Sequence, residues 1–313
     1  MTTESVQPKQ SRKRIVTYLL ITFTLAFASY ALIALGREDG GGLGPWAILL
    51  QWAPAIGAFA TLLIYQRNIR GLGFGLGRGR YLVLSYFLPL AVLLVTYTVI
   101  WLLGLGGFSL EPAFEEAASS IGITSISNPI LLLLVIIVVT GTAGVLLAAV
   151  FALGEEIGWR GFLVPELAKT RSFTGVALLS GAIWAAFHFP FVFIFGAERA
   201  ATPIPYQLLV MTIQAIAIGT VVAWLRLKSG SLWTAVIFHA VLNPFGQGLF
   251  TQLTVNTELT PYIAGEQGLA LAISWSIVAF LFWLKRDSLP QFQPQDHPQD
   301  LEAMDPETVP SSV

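Results

Sequence analysis

The sequence predicts an all-α, polytopic membrane protein of about eight transmembrane helices, with its polar side chains gathered in a pocket within the bundle. Three observations predict it. First, 55% of the 313 residues are hydrophobic and only 11% charged, with a mean hydropathy of +0.72, well above what a soluble domain needs to fill a core. Second, eight apolar stretches of about 20 residues, each long enough to cross a hydrocarbon core as a helix, are separated by polar or Gly/Pro-rich breaks. Third, the loop charges alternate in sign bias from one break to the next.

The spans fall at about 15–35, 46–65, 81–105, 129–153, 173–195, 205–225, 231–250 and 265–284. Basic residues cluster before the first span (Lys9, Arg12, Lys13, Arg14) and after the second (Arg67, Arg70, Arg78, Arg80), and again at Lys169, Arg171, Arg226, Lys228, Lys285 and Arg286. The alternate loops are richer in acid: Glu38 and Asp39 beside Arg37, then Glu111, Glu115 and Glu116, then Glu198 beside Arg199, then Glu258 and Glu266. Because Lys and Arg stay inside, both termini are expected to be cytoplasmic, in the plasma membrane if the cell is prokaryotic.

Three segments follow: an N-terminal cytoplasmic tail (1–14), a transmembrane helical domain (15–286) and a Pro/Gln/acid-rich cytoplasmic tail expected to be disordered (287–313). The first apolar run is too long for a typical cleaved signal and reads as a signal anchor. The absence of cysteine excludes disulfides, thiolate metal ligands and a cysteine nucleophile. A net charge of -1 argues against a nucleic-acid partner. No internal repeat of the kind that builds many secondary transporters is apparent. The basic, glycine-rich RGLGFGLGRGR (70–80) has no preceding strand and no GK[ST], so it reads as a flexible cytoplasmic loop on anionic membrane lipids rather than a nucleotide site. Glu115 and Glu116, on the outer side, read as a solvated loop or surface helix, and Lys285 and Arg286 as anchors of the last span.

Ionisable side chains in a bilayer are costly and count as functional candidates. Three groups qualify. Glu155, Glu156 and Arg160 stand at the cytoplasmic end of the fourth span; His188 lies in the fifth with Trp184 four residues earlier on the same face; His239 and Asn243 share a face of the seventh. Each has a plainer reading: a solvated helix end, a histidine bonded to a backbone carbonyl, or interhelical polar contacts. Together they support hydrolysis. A carboxylate can take a proton from water, a neighbouring histidine can hold that water, and a His/Asn pair can donate to a developing oxyanion. Glu155, His188 and His239 would alternatively hold a zinc ion, although HExxH is absent. Counting helical rise from the cytoplasmic face puts His239 about 12 Å deep and His188 about 20 Å, with Glu155 at the boundary. A shared site therefore needs the fourth span to end deeper or the fifth to begin late, and Pro190 and Pro244 are the expected helix breaks.

Glu155-Glu156-x-x-x-Arg160-Gly161, then Trp184-x-x-x-His188, then His239-x-x-x-Asn243 resemble the three ordered motifs of the CAAX protease and bacteriocin-processing family of intramembrane endopeptidases, which includes the Ras-converting CAAX prenyl endopeptidase. Trp184 stands where that family commonly has Phe. The resemblance implies a catalytic pocket in which Glu155 activates water with help from His188, while His239 and Asn243 line the oxyanion site. Arg160 and Trp184 would support the pocket, and Glu156 is the competing base. It also implies cleavage of a membrane-associated or prenylated substrate, by a metal-free or a metalloprotease mechanism. A non-catalytic bacteriocin-immunity protein and an ion-coupled transporter are the alternative functions.

Overall fold

The computed structural model describes residues 8–38, 44–121, 126, 128–199, 201–265 and 267–292. The chain is a helical bundle. Its elements are α1 (Pro8–Glu38), α2 (Gly44–Gln66), α3 (Gly79–Leu102), α4 (Glu111–Ile121), α5 (Pro129–Val139), α6 (Val145–Glu156), α7 (Val164–Ala168), α8 (Phe173–Arg199), α9 (Ile204–Ser229), α10 (Trp233–Asn243), α11 (Phe250–Gln252), α12 (Thr260–Ile263) and α13 (Leu269–Leu284). Apart from helices, the described residues pair two short strands, β1 (Gly107–Phe108) and β2 (Thr254–Val255), antiparallel.

Six helical runs among the described residues are long and apolar enough to cross a membrane: 9–36, 44–66, 79–102, 129–168, 173–196 and 204–229. The other two expected spans are also helical but fall short of that standard. α13 has 16 residues, and the seventh region carries His239, Asn243, Gln247 and Gln252 along its length. Leu146, Leu20 and Val95, each more than 60% exposed, belong to an outer surface whose natural solvent is lipid. α9 is the most enclosed of the six, with 67% of its most apolar 18 residues buried, so it lies at the centre around which the others pack.

The fourth span differs most from expectation. It does not end after Leu153: α5, α6 and α7 are joined by π-helical turns at Thr140–Gly144 and Ile157–Leu163 into one run of 40 residues, Pro129–Ala168. Glu155 and Glu156 therefore sit inside a helix rather than at its cytoplasmic end. The physical reason is that their charges are satisfied by protein groups, so they do not mark the water boundary. Pro190 likewise breaks nothing, lying within the continuous α8. At Pro244 the helix does change, from α10 into a π-helical segment, Pro244–Leu249.

Both ends of the membrane domain are more ordered than composition suggests. α1 begins at Pro8, inside the expected tail, and Arg14 there donates to Gln66 (2.8 Å) and pairs with buried Glu166 (3.2 Å). Residues 287–292, expected to be disordered, form short helical turns (Arg286–Ser288, Pro290–Phe292) seated by a fully buried Leu289. Lys228 donates to the Ser288 carbonyl there. Residues 1–7 and 293–313, including His297, lie outside the described residues. The 70–80 loop is docked rather than free. Leu72 is buried, Leu232 N–H donates to the Gly73 carbonyl (2.7 Å), and Trp233 Nε1 donates to the Phe74 carbonyl (2.8 Å). Glu115 and Glu116 lie on the exposed face of α4, as expected of a surface helix.

Two close helix crossings hold the bundle at the level of the candidate residues. A Cβ on Gly158 would lie 2.4–2.6 Å from Pro54 of α2, and one on Gly181 would lie 2.5 Å from the Ile216 backbone of α9. Only glycine permits these approaches. Gly158→Ala is expected to destabilise the protein by about 1–3 kcal/mol through forced separation of two backbones, read as a lowered Tm in detergent. Gly36→Ala, where nothing lies within 4 Å, should leave Tm unchanged or slightly raised.

Candidate active site

The two adjacent glutamates have separate surroundings. Side chains of neighbouring helical residues diverge by about 100°, so Glu155 and Glu156 cannot face the same way. Each is met by the residue four positions later, on its own face. Arg160 Nη1 donates to Glu156 Oε1 at 2.9 Å, and Trp159 Nε1 donates to Glu155 Oε2 at 3.3 Å. All four side chains are buried.

His239, on α10, donates from Nδ1 to the same Glu156 Oε1, also at 2.9 Å. Glu156 thus carries a cation on its own helix and an imidazole from another, and is 1% exposed. Arg160 lies with its guanidinium carbon 4.6 Å from the centre of the Trp184 ring, on α8. Trp184 Nε1 then donates to Glu155 Oε2 at 3.1 Å. The indole therefore joins the two halves of the cluster, stacking on the cation of one glutamate and bonding the other.

His188 completes the α8 contribution. Its Nδ1 is 2.9 Å from the Trp184 carbonyl. A carbonyl only accepts, so this nitrogen carries the proton, leaving Nε2 as an acceptor when the ring is neutral. The rings of His188 and His239 each stand edge-on to Trp184, with centres 5.8 Å away. Beneath the cluster, Arg226 of α9 donates from Nε to the Arg160 carbonyl (3.0 Å) and from Nη2 to the Gly71 carbonyl (3.2 Å). It links the docked 70–80 loop to the π-helical turn that carries Arg160.

Two cavities meet at this cluster. One, of about 260 Å³, is lined by Glu155, Trp184, His188, His239 and Asn243 among aromatic and aliphatic side chains that include Tyr30, Phe191 and Trp275. The other, of about 700 Å³, is also lined by Glu155, His239 and Asn243 and extends along Thr140, Gly144 and Phe151 of the long helical run. Glu156 and Arg160 line neither. The structure therefore brings all seven expected residues together, but in two layers: Glu155, Trp184, His188, His239 and Asn243 at the cavities, Glu156 and Arg160 behind them.

Sequence reasoning missed several contributors. Trp159 was legible, since it follows Glu155 by the same four residues that separate Arg160 from Glu156. Gln51 and Gln247, which line both cavities, are polar side chains in apolar runs but stand at no i, i+4 spacing from an ionisable group that would single them out. Tyr30 donates to the Phe187 carbonyl (3.1 Å), fixing α1 beside the His188 turn, and no local pattern announces it. As to zinc, Glu155 Oε2 is bound by two indoles, and one ring nitrogen of each histidine is already committed. Among the described residues no three His, Asp or Glu side chains are gathered as ligands of one ion.

Removing one partner of a buried ion pair strands the other. Arg160→Met is expected to destabilise by about 3–5 kcal/mol, and the double variant Glu156→Gln/Arg160→Met by clearly less than the sum of Glu156→Gln and Arg160→Met. Thermal unfolding of the four proteins in detergent measures this coupling, and additive losses would refute it.

With that geometry in hand, comparison with known proteins is informative. Residues 126–245 match the family model described as type II CAAX prenyl endopeptidase Rce1-like. That range contains all seven residues just described. A relative from Methanococcus maripaludis, CAAX prenyl protease 2, is 30% identical over 139 residues, covering 43% of this chain and 47% of the relative. The match thus spans about half the length of that protein. Over residues 126–245, where the site is built, the chain is thus similar to the type II CAAX prenyl endopeptidase family, in keeping with the resemblance seen in its three motifs.

Proposed function

We propose that the protein is an intramembrane endopeptidase in which water activated by Glu155 hydrolyses a peptide bond of a membrane-associated, prenylated CAAX-like substrate. One observation carries the choice of base. Glu155 is the carboxylate that lines both cavities, whereas Glu156 is held by Arg160 and His239 and lines neither. A general base must reach the water whose proton it takes.

The positions support the following course. Water between Glu155 and His188 Nε2 gives its proton to Glu155 as its oxygen bonds to the scissile carbonyl carbon. The carbonyl becomes an oxyanion, to which Asn243 and protonated His239 donate. The C–N bond then breaks, and the proton held by Glu155 passes to the departing amine. Glu156 and Arg160 act behind the cavity by holding His239 Nδ1, so that Nε2 is the nitrogen left for the substrate. The aromatic and aliphatic lining of the smaller cavity suits an apolar chain, which fits the prenyl specificity named for the archaeal relative. The basic loop bias supports cytoplasmic termini and, in a prokaryote, residence in the plasma membrane.

Cleavage of a farnesylated, internally quenched CAAX peptide by the detergent-solubilised protein tests this reading. Glu155→Gln should lower kcat by about 10²–10⁴, the usual contribution of a general base, with Tm little changed because the Gln amide oxygen still accepts from the Trp159 and Trp184 indoles. Wild-type turnover by Glu155→Gln would refute the assignment. Solute flux in proteoliposomes without any peptide cleavage would point instead to a carrier.

A further inference from the structure

Gln51 stands on α2, outside the matched residues 126–245. α2 reaches the site through glycine. A Cβ on Gly154 would lie 2.8 Å from the Gln51 carbonyl and 2.9 Å from Trp52, and Gly158 makes the same kind of approach to Pro54 one turn on. These contacts set Gln51 against the turn that carries Glu155. Five residues line both cavities: Gln51, Glu155, His239, Asn243 and Gln247. Among them Gln51 is distinctive, because its Oε1 is buried with no hydrogen-bond partner in the protein.

A buried amide oxygen without a partner is costly, and a ligand that supplies a donor removes that cost. At the junction of two cavities beside a carboxylate, the complementary group is an N–H on an otherwise apolar chain. A peptide backbone carries one such donor per residue. We propose that Gln51 binds the substrate main chain, its Oε1 accepting a backbone N–H next to the scissile bond and so setting that bond in register with Glu155. The inference rests on the peptidase reading, and adds to it a substrate-binding residue from α2.

The contact is tested with a peptide series in which each backbone N–H near the cleavage site is replaced in turn by an ester oxygen. Cleavage and equilibrium binding are both measured, with the wild type and with Gln51→Met and Gln51→Leu. At one position the wild type should lose about tenfold in kcat/KM and in affinity. The two variants, already about tenfold weaker on the all-amide peptide, should lose nothing further there. Their Tm should hold or rise, since an orphaned oxygen has been removed. Equal losses in all three proteins at every position would overturn the proposal, as would a lowered Tm in both variants, which marks a structural role. N–H-dependent binding that vanishes in the variants, with no cleavage by the wild type, would uphold the Gln51 contact and refute the peptidase reading alone. Absence of peptide binding would overturn both.

Discussion

A single carboxylate oxygen, Glu156 Oε1, receives hydrogen bonds from Arg160 and from His239, and the arrangement of the site depends on it. Moving each ion from water to a protein interior costs several kcal/mol, which mutual attraction offsets only when the geometry is good. That condition constrains the helices. Glu156 and Arg160 are on one helical run, so their distance is set locally, but His239 must arrive from α10 at the correct depth and rotation. Trp184 adds α8, because its face covers the guanidinium that would otherwise meet lipid or aliphatic side chains. Three helices distant in sequence are thereby held at one point.

The consequence reaches the neighbouring residue. With Glu156 committed to the ion pair, helical geometry turns Glu155 away from it, toward Trp184 and the cavities. Two indole N–H groups bind one of its oxygens, orienting the carboxylate without supplying a full positive charge. The division between a charged pair behind and a neutral-donor carboxylate in front is thus a direct result of placing two glutamates side by side on a helix. The π-helical turn just after Glu156 continues the arrangement, since the Arg160 carbonyl is bonded by Arg226 from α9.

Much of this was legible in the sequence. Apolar run lengths located the helices, and i, i+4 spacing put Trp184 with His188 and His239 with Asn243 on shared faces. The depth problem was not soluble that way. Treating Glu155 and Glu156 as a boundary placed them too far from His188, because hydropathy reads a charge as an exit from the membrane. A charge neutralised by a partner on another helix looks identical in one dimension. Pro190 misled for a related reason: a proline breaks a helix only where the freed carbonyl lacks another partner, and a packed bundle can provide one. Residues 70–80 and 287–292 were misread because composition records their polarity but not the buried Leu72 and Leu289 that anchor them.

The residues around the site come from two sources, and this bears on specificity. The seven motif residues all fall within 126–245, the stretch that matches the family. Yet the walls of the smaller cavity are completed by Tyr30, Gln51 and Leu93 before that stretch, and by Leu271 and Trp275 after it. The polar cluster is therefore built within that stretch, while the cavity walls draw both on it and on helices outside it. The ion pair and its neighbours tolerate little change, because each buried polar atom depends on the next. The outer walls are mostly apolar side chains joined by dispersion contacts, where volume-conserving replacements cost little. A scaffold built in this way keeps its buried polar cluster while the cavity walls around it are reshaped.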